Sequence, residues 1–247
     1  MNDRQIELFG KGEARWIAIP GLFQNHEKQA AYMDARGYFS TVIQRGDVDP
    51  KCLGLIALFF YDFASFCAQQ LGSSGEANKQ FQVGLKLANA ALVKDPHEFY
   101  SRLFLFCNAV DNLPAKPDTL KTLTGGGGWG KKLFDTGFNL GAYNTAKGNL
   151  IKAVEAATEA FLDKIKPENG NSVEECIDMI RRLVAVMDAV VGHDVGFSNV
   201  YKALLFAEDE VGKLGTFAQT DAELDALVDQ FNSAMELVRG RANALSL

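Results

Sequence analysis

The sequence predicts an all-α fold: helical hairpins in an N-terminal lobe, an antiparallel four-helix bundle in a C-terminal lobe, and a short N-terminal β-hairpin or extended arm ahead of both. Three observations carry that reading. Apolar residues recur at helical spacing along most of the chain, proline and glycine punctuate those runs, and two capping-box signatures open helices in the C-terminal half. The chain has 247 residues, 47% of them hydrophobic, enough to bury a sizeable core.

Residues 1–25 are the exception to the helical pattern. Gln5-Ile6-Glu7-Leu8-Phe9 and Ala14-Arg15-Trp16-Ile17-Ala18-Ile19 alternate in part and flank Gly10-Lys11-Gly12, which suggests a hairpin closed by a glycine turn. An isolated hairpin is marginal in water, so this arm is expected to pack on the helices or on a neighbouring subunit.

An aromatic-rich helical lobe is expected over 26–112. Its first helix runs from about Glu27 to Arg45. The second starts at Pro50 with Asp49 as its cap, and its residues Leu53, Leu55, Ile56, Leu58, Phe59, Phe60, Phe63 and Phe66 point nearly all round, the pattern of a central helix. At Leu53–Cys67 the apolar run is shorter than the roughly 20 residues a bilayer requires, and Asp62 interrupts it. A third helix carries Phe81, Gly84, Leu85, Ala88, Ala91 and Leu92 on one stripe. Asp95-Pro96 then opens a fourth with Phe99, Leu103, Phe106 and Val110.

The stretch from Gly84 through Ala91-Leu92 to Asp95-Pro96 resembles the second helix of a tetratricopeptide repeat, in its small residue, Ala-Leu pair and closing proline. The resemblance covers half of one repeat. Ala88 stands where that family places an aromatic residue, and the preceding Gly72–Gly75 loop is longer than the family's turn. A generic helical hairpin accounts for the same residues, because helices that touch need small side chains.

A Gly/Pro-rich linker or loop is expected over 113–140, and a four-helix bundle over 141–247. The bundle's first helix should run from Tyr143 to Lys166 with Leu150, Val154, Ala157, Phe161 and Ile165 on one face. Ser172 with Glu175 and Thr220 with Glu223 form capping boxes that open later helices.

Few residues point to chemistry. Gly125-Gly126-Gly127-Gly128-Trp129-Gly130-Lys131-Lys132 satisfies the glycines and the lysine of a P-loop, but Lys132 stands where the Mg²⁺-binding Ser or Thr belongs and no apolar strand precedes it. The histidines His26, His97 and His193 fit no metal-ligand spacing, and Cys52, Cys67, Cys107 and Cys176 form no CxxC pair. No cofactor, metal or catalytic residue is therefore expected. The four cysteines sit in apolar contexts, as small hydrophobes in a reducing compartment do.

The best candidate binding residues are Trp16 in the arm, Trp129, Lys131 and Lys132 by the glycine run, and Tyr143 just beyond it. The expected function is a non-enzymatic interaction or assembly protein, with a protein partner or self-association. One alternative is a nucleic-acid-coating or RNA-binding protein using the lysines around the glycine run. The formal net charge of −6 disfavours it. A second alternative is an enzyme or small-molecule binder with a site between the lobes. The N-terminal residues lack a basic start and an apolar run, so a cytoplasmic protein without a membrane segment is the expectation.

Overall fold

A computed structural model describes residues 1–114 and 129–164, together with residues 172, 175, 178–180, 182–183, 229, 232, 236 and 239–240; in the helix that begins at 129, side chains are described from 141 onward. Among the described residues all regular structure is helical, and the fold is all-α. The helices are α1 Asp3–Ala18, α2 Asn25–Gln44, α3 Pro50–Gln69, α4 Ser74–Lys94, α5 Phe99–Asp111 and α6 Trp129–Lys164, with a 3₁₀ turn at Ile19–Gly21. The chain forms two compact units, Met1–Phe104 and Leu105–Leu247, whose boundary falls within α5.

The expected N-terminal hairpin is not formed: residues 3–18 are one continuous helix. Its start is a capping box. The Gln5 amide donates to Asn2 Oδ1 at 2.9 Å, and the Asn2 amide donates to Gln5 Oε1 at 3.0 Å. Buried Gln5, Leu8, Gly12 and Trp16 recur at three- and four-residue spacing along one face, and buried Ile19 continues it into the 3₁₀ turn. Gly12 is a contact residue rather than a turn residue. A Cβ built on it would lie 2.7 Å from Phe39 Cε1, so glycine lets α1 approach the α2 ring.

Helices α1 and α2 run antiparallel. Gln5, at the start of α1, donates its Nε2 to Gly46 O at 2.6 Å and to Val42 O at 3.3 Å, at the far end of α2. One carboxamide thus closes the N-terminus of one helix and the C-terminus of the next. The buried face of α2 is Ala31, Tyr32, Ala35, Phe39 and Val42.

Helix α3 starts as its sequence predicts, with Pro50 in the first turn and Asp49 Oδ1 accepting from the Lys51 amide at 2.9 Å. Every residue from Leu53 to Phe60 is buried. Phe59 is the hub: its ring centroid lies 4.9 Å from Phe39, 5.2 Å from Phe60, 5.9 Å from Tyr32 and 6.0 Å from Trp16. By length and composition α3 could cross a membrane, but 67% of its most apolar window is buried inside the protein.

Helix α4 returns antiparallel to α3. Lys94 at its end donates to Val48 O at 2.8 Å, just before α3 begins. Gly84 sits at the contact: its Cβ would lie 3.0 Å from Ala57 O and 2.8 Å from the Phe104 ring. The expected hairpin of α3 and α4, with Gly84 and Ala88 at its seam, is therefore present. The Asp95-Pro96 turn follows, but Asp95 does not cap α5. Asp95 Oδ1 takes the His97 amide at 2.9 Å, and α5 begins only after Glu98.

In the second unit α6 begins at Trp129, earlier than the expected Tyr143, so 129–140 belong to a helix rather than to a linker. Leu150, Val154, Ala157 and Phe161 are buried as predicted, joined by Tyr143 and Ala160. The Glu175 amide donates to Ser172 Oγ at 3.2 Å, one half of the expected capping box. Met179, Ile180 and Leu183 are buried. Residues 115–128, including Gly125–Gly128, and the Thr220–Glu223 box lie outside the described residues.

Candidate functional site

Of the two sequence-predicted site residues with described side chains, Trp16 and Tyr143, it is Trp16 that lines a cleft. The cleft, about 260 Å³, opens where α1, the 3₁₀ turn, α2 and α3 meet, and is lined by Trp16, Ile19, Pro20, Lys28, Tyr32, Asp62, Phe66 and Gln70. All of them belong to the first unit.

Its floor follows from the helix faces. Trp16 ends the buried stripe of α1, Tyr32 sits in the second turn of α2, and Phe66 lies one turn beyond Asp62 on α3. The Tyr32 ring is stacked on Phe63, with centroids 4.9 Å apart and planes 5° from parallel, and it leans on Phe66 at 5.0 Å. Trp16 meets Phe59 edge-on. These contacts fix three rings in place, each less than one tenth exposed.

Two residues of opposite charge, Lys28 and Asp62, line the same cleft. Trp16 Nε1 donates to Asp62 Oδ2 at 2.9 Å, which anchors the carboxylate in one orientation. Asp62 and Lys28 are both half-buried. The Lys28 ammonium makes no ion pair or hydrogen bond among the described residues, although it lines the same cleft. Burial pushes the Tyr32 phenol well above its usual range, and the Asp62 charge adds to the shift, so Tyr32 is a neutral hydroxyl at any physiological pH.

The sequence singled out Trp16 but not its partners. Asp62 carries a legible signal, since it is the one charge inside the apolar run Leu53–Cys67. Lys28 and Gln70 carry none. The other predicted site residues do not join it. Trp129, Lys131 and Lys132 form the first turn of α6, with side chains outside the described residues, and Tyr143 is buried in the second unit.

A second cleft, about 370 Å³, lies in the second unit between the end of α5 and the middle of α6. Leu105, Ala109, Ala146 and Ala153 line it with the carboxamides of Asn108, Asn112 and Asn149. Asn112 Nδ2 donates to Asn108 O and Oδ1, both at 2.8 Å, which ties two of the three amides to each other. Among the described residues no charged side chain lines it.

One further feature was not legible. Glu98 is 2% exposed and caps α5, its Oε1 accepting from the Tyr100 amide at 3.0 Å and its Oε2 from the Ser101 amide at 2.6 Å. Burial drives its carboxyl up to about 7, against the hydrogen bonds from Ser101 and Tyr100 that pull it down. Burial also pushes the Cys52 thiol up to about 11 and raises Cys67, so both are thiols rather than reactive thiolates at neutral pH. Among the described residues no three His, Cys, Asp or Glu side chains converge as metal ligands.

No protein family, curated protein or solved structure matches the chain.

Proposed function

We propose that the chain is a non-enzymatic helical interaction or assembly protein that docks a protein surface, a second copy or a different partner, on the corner between α1 and α2. The supporting observation is Phe23. It is 96% exposed in the connection after the 3₁₀ turn, and Ile17, at the end of α1, is 68% exposed. Single exposed apolar residues are ordinary, but Ile17 at the end of α1, Pro20 in the 3₁₀ turn and Phe23 just after it leave three exposed apolar residues within one short stretch of chain. Covering each of the two would contribute about 2–3 kcal/mol before the cost of association.

Sedimentation velocity over a wide concentration range tests self-association, and capture on the immobilised chain tests a different partner. Each is compared with the Ile17→Ser/Phe23→Ser double variant. Both side chains are exposed, so the variant keeps the wild-type melting temperature. Association weakened by at least about tenfold in the variant supports the proposal. A monomer at every concentration, with no capture that depends on these two residues, overturns it.

A further inference from the structure

The cleft beside Trp16 has a chemistry that a protein-docking corner does not require. Its lining includes three packed aromatic rings, one carboxylate anchored by Trp16 and one ammonium that is not paired with it. A purely anionic ligand would meet the Asp62 carboxylate, and a purely cationic one would meet Lys28. A hard metal ion would find one carboxylate and the Gln70 amide, far short of the oxygen set such ions take. The pair of opposite charges over an apolar floor is complementary to a molecule that itself carries one charge of each sign on an apolar body.

Size narrows the class. At about 260 Å³ the cleft is smaller than the roughly 300–1,000 Å³ of sites for drug-sized ligands. It suits a single amino acid. We propose that the cleft is a binding site for a free α-amino acid with an apolar side chain, its ammonium on Asp62, its carboxylate on Lys28 and its side chain against Trp16, Tyr32 and Phe66. The Trp16 N–H to Asp62 bond positions the acceptor before the ligand arrives, so little order has to be created on binding. Lys28, by contrast, moves onto the ligand carboxylate from solvent.

Trp16 is also the reporter. In the full chain carrying Trp129→Phe it is the only tryptophan, and its fluorescence can be titrated with L-leucine, L-methionine and L-phenylalanine. Isocaproate and isoamylamine, which keep leucine's apolar body and remove one charge each, are the controls. Calorimetry of L-leucine binding to the unsubstituted chain guards against an effect of Trp129→Phe itself. Saturable binding of at least one of the three amino acids is expected, with each leucine analogue at least about tenfold weaker than L-leucine, a loss of about 1.4 kcal/mol per missing contact. Lys28→Met should lower affinity for L-leucine to the level of isoamylamine, and Asp62→Asn to the level of isocaproate. Lys28 supports no other group, so its variant tests the idea even where Asp62→Asn disturbs Trp16.

No saturable signal by either method with any of the three amino acids at tens of millimolar overturns the proposal. So does equal binding of L-leucine and its two analogues, or wild-type affinity in Lys28→Met. The outcome is separable from the docking corner, because Ile17 and Phe23 do not line the cleft. Loss of association in the Ile17→Ser/Phe23→Ser variant with amino-acid binding intact, or the reverse, tells the two apart.

Discussion

Glu98 makes stability depend on pH with a sign opposite to that of a salt-bridged carboxylate. In the unfolded chain its carboxyl ionises near the ordinary 4.5, and in the native fold near 7, with burial as the leading cause and Asp95 adding a little. The native state therefore holds a proton that the unfolded state releases. Its stabilising contribution is fully present below about pH 4.5, falls as the pH rises and is gone above about 7. At about 1.4 kcal/mol for each tenfold difference in proton affinity, the change amounts to about 3 kcal/mol across that window. The geometry explains why an acid is tolerated there at all. Two α5 amides point at its two oxygens, and Gly54 makes room: a Cβ at Gly54 would overlap Glu98 Oε2.

The experiment compares wild type with Glu98→Gln in urea titrations at several pH values from 5 to 8. The amide keeps the shape and one acceptor, so the variant carries a constant offset from the amide it leaves unpaired. It carries no titration at this site. Subtracting the two curves cancels every other ionisable group that the substitution leaves undisturbed. Wild type should lose on the order of 2–3 kcal/mol relative to the variant between pH 5 and 8. A difference that stays flat across that range, or that moves in favour of wild type as the pH rises, refutes the reasoning: Glu98 would then be ionised in the native state at its usual pH.

Other substitutions have signs fixed by the same structure. Gln5→Ala removes both halves of a double cap and strands the Val42 and Gly46 carbonyls, so a loss of about 2–3 kcal/mol in urea unfolding is expected. Gly84→Ala places a methyl 3.0 Å from the Ala57 carbonyl and 2.8 Å from Phe104. The roughly 1 kcal/mol gained in helix propensity should be outweighed by overpacking of about 1–3 kcal/mol, lowering the midpoint. Gly37→Ala, in the exposed middle of α2 with nothing within 4 Å of the new methyl, should raise it by about 0.5–1 kcal/mol. Trp16→Phe keeps the packing on Phe59 but leaves Asp62 without its indole donor, and should cost about 1–2 kcal/mol in the same assay.

Helices were legible where the buried positions are apolar and the caps are of common type. The start of α3 at Asp49-Pro50 and the buried face of α6 at Leu150, Val154, Ala157 and Phe161 are examples. The N-terminal helix was not, for a specific reason. Two members of its buried face are Gln5 and Gly12, so a count of apolar residues at helical spacing falls short while the partial alternation around Gly10-Lys11-Gly12 looks like a hairpin. The decisive signal was present one turn earlier, in the Asn2…Gln5 capping box. Glu98 was hidden differently. Asp-Pro is a common helix opener, and nothing in the local sequence says that the cap lies three residues on and is buried against Gly54 rather than facing water.

Those two misreadings share a cause, and it bears on the candidate site as well. Gln5, Gly12, Gly54, Glu98 and Asp62 are all residues whose place depends on a partner distant in sequence: Val42 and Gly46, Phe39, Glu98, Gly54 and Trp16 respectively. Local pattern reports what a helix buries on average, whereas these side chains meet one particular neighbour. Trp16 was noticed because it is large and rare. The Asp62 carboxylate that gives it a chemical role stands on another helix, 46 residues away. Polar residues inside an apolar face are therefore the positions at which this chain departs from a generic helical bundle. Gln5 and Glu98 use that polarity on helix ends, which satisfies backbone groups and leaves nothing for a ligand. Asp62 stands in the middle of α3, where the backbone amides and carbonyls are already paired within the helix. Its carboxylate is held by the Trp16 indole beside a cleft and not at a helix end, which makes Asp62 the residue to test for binding.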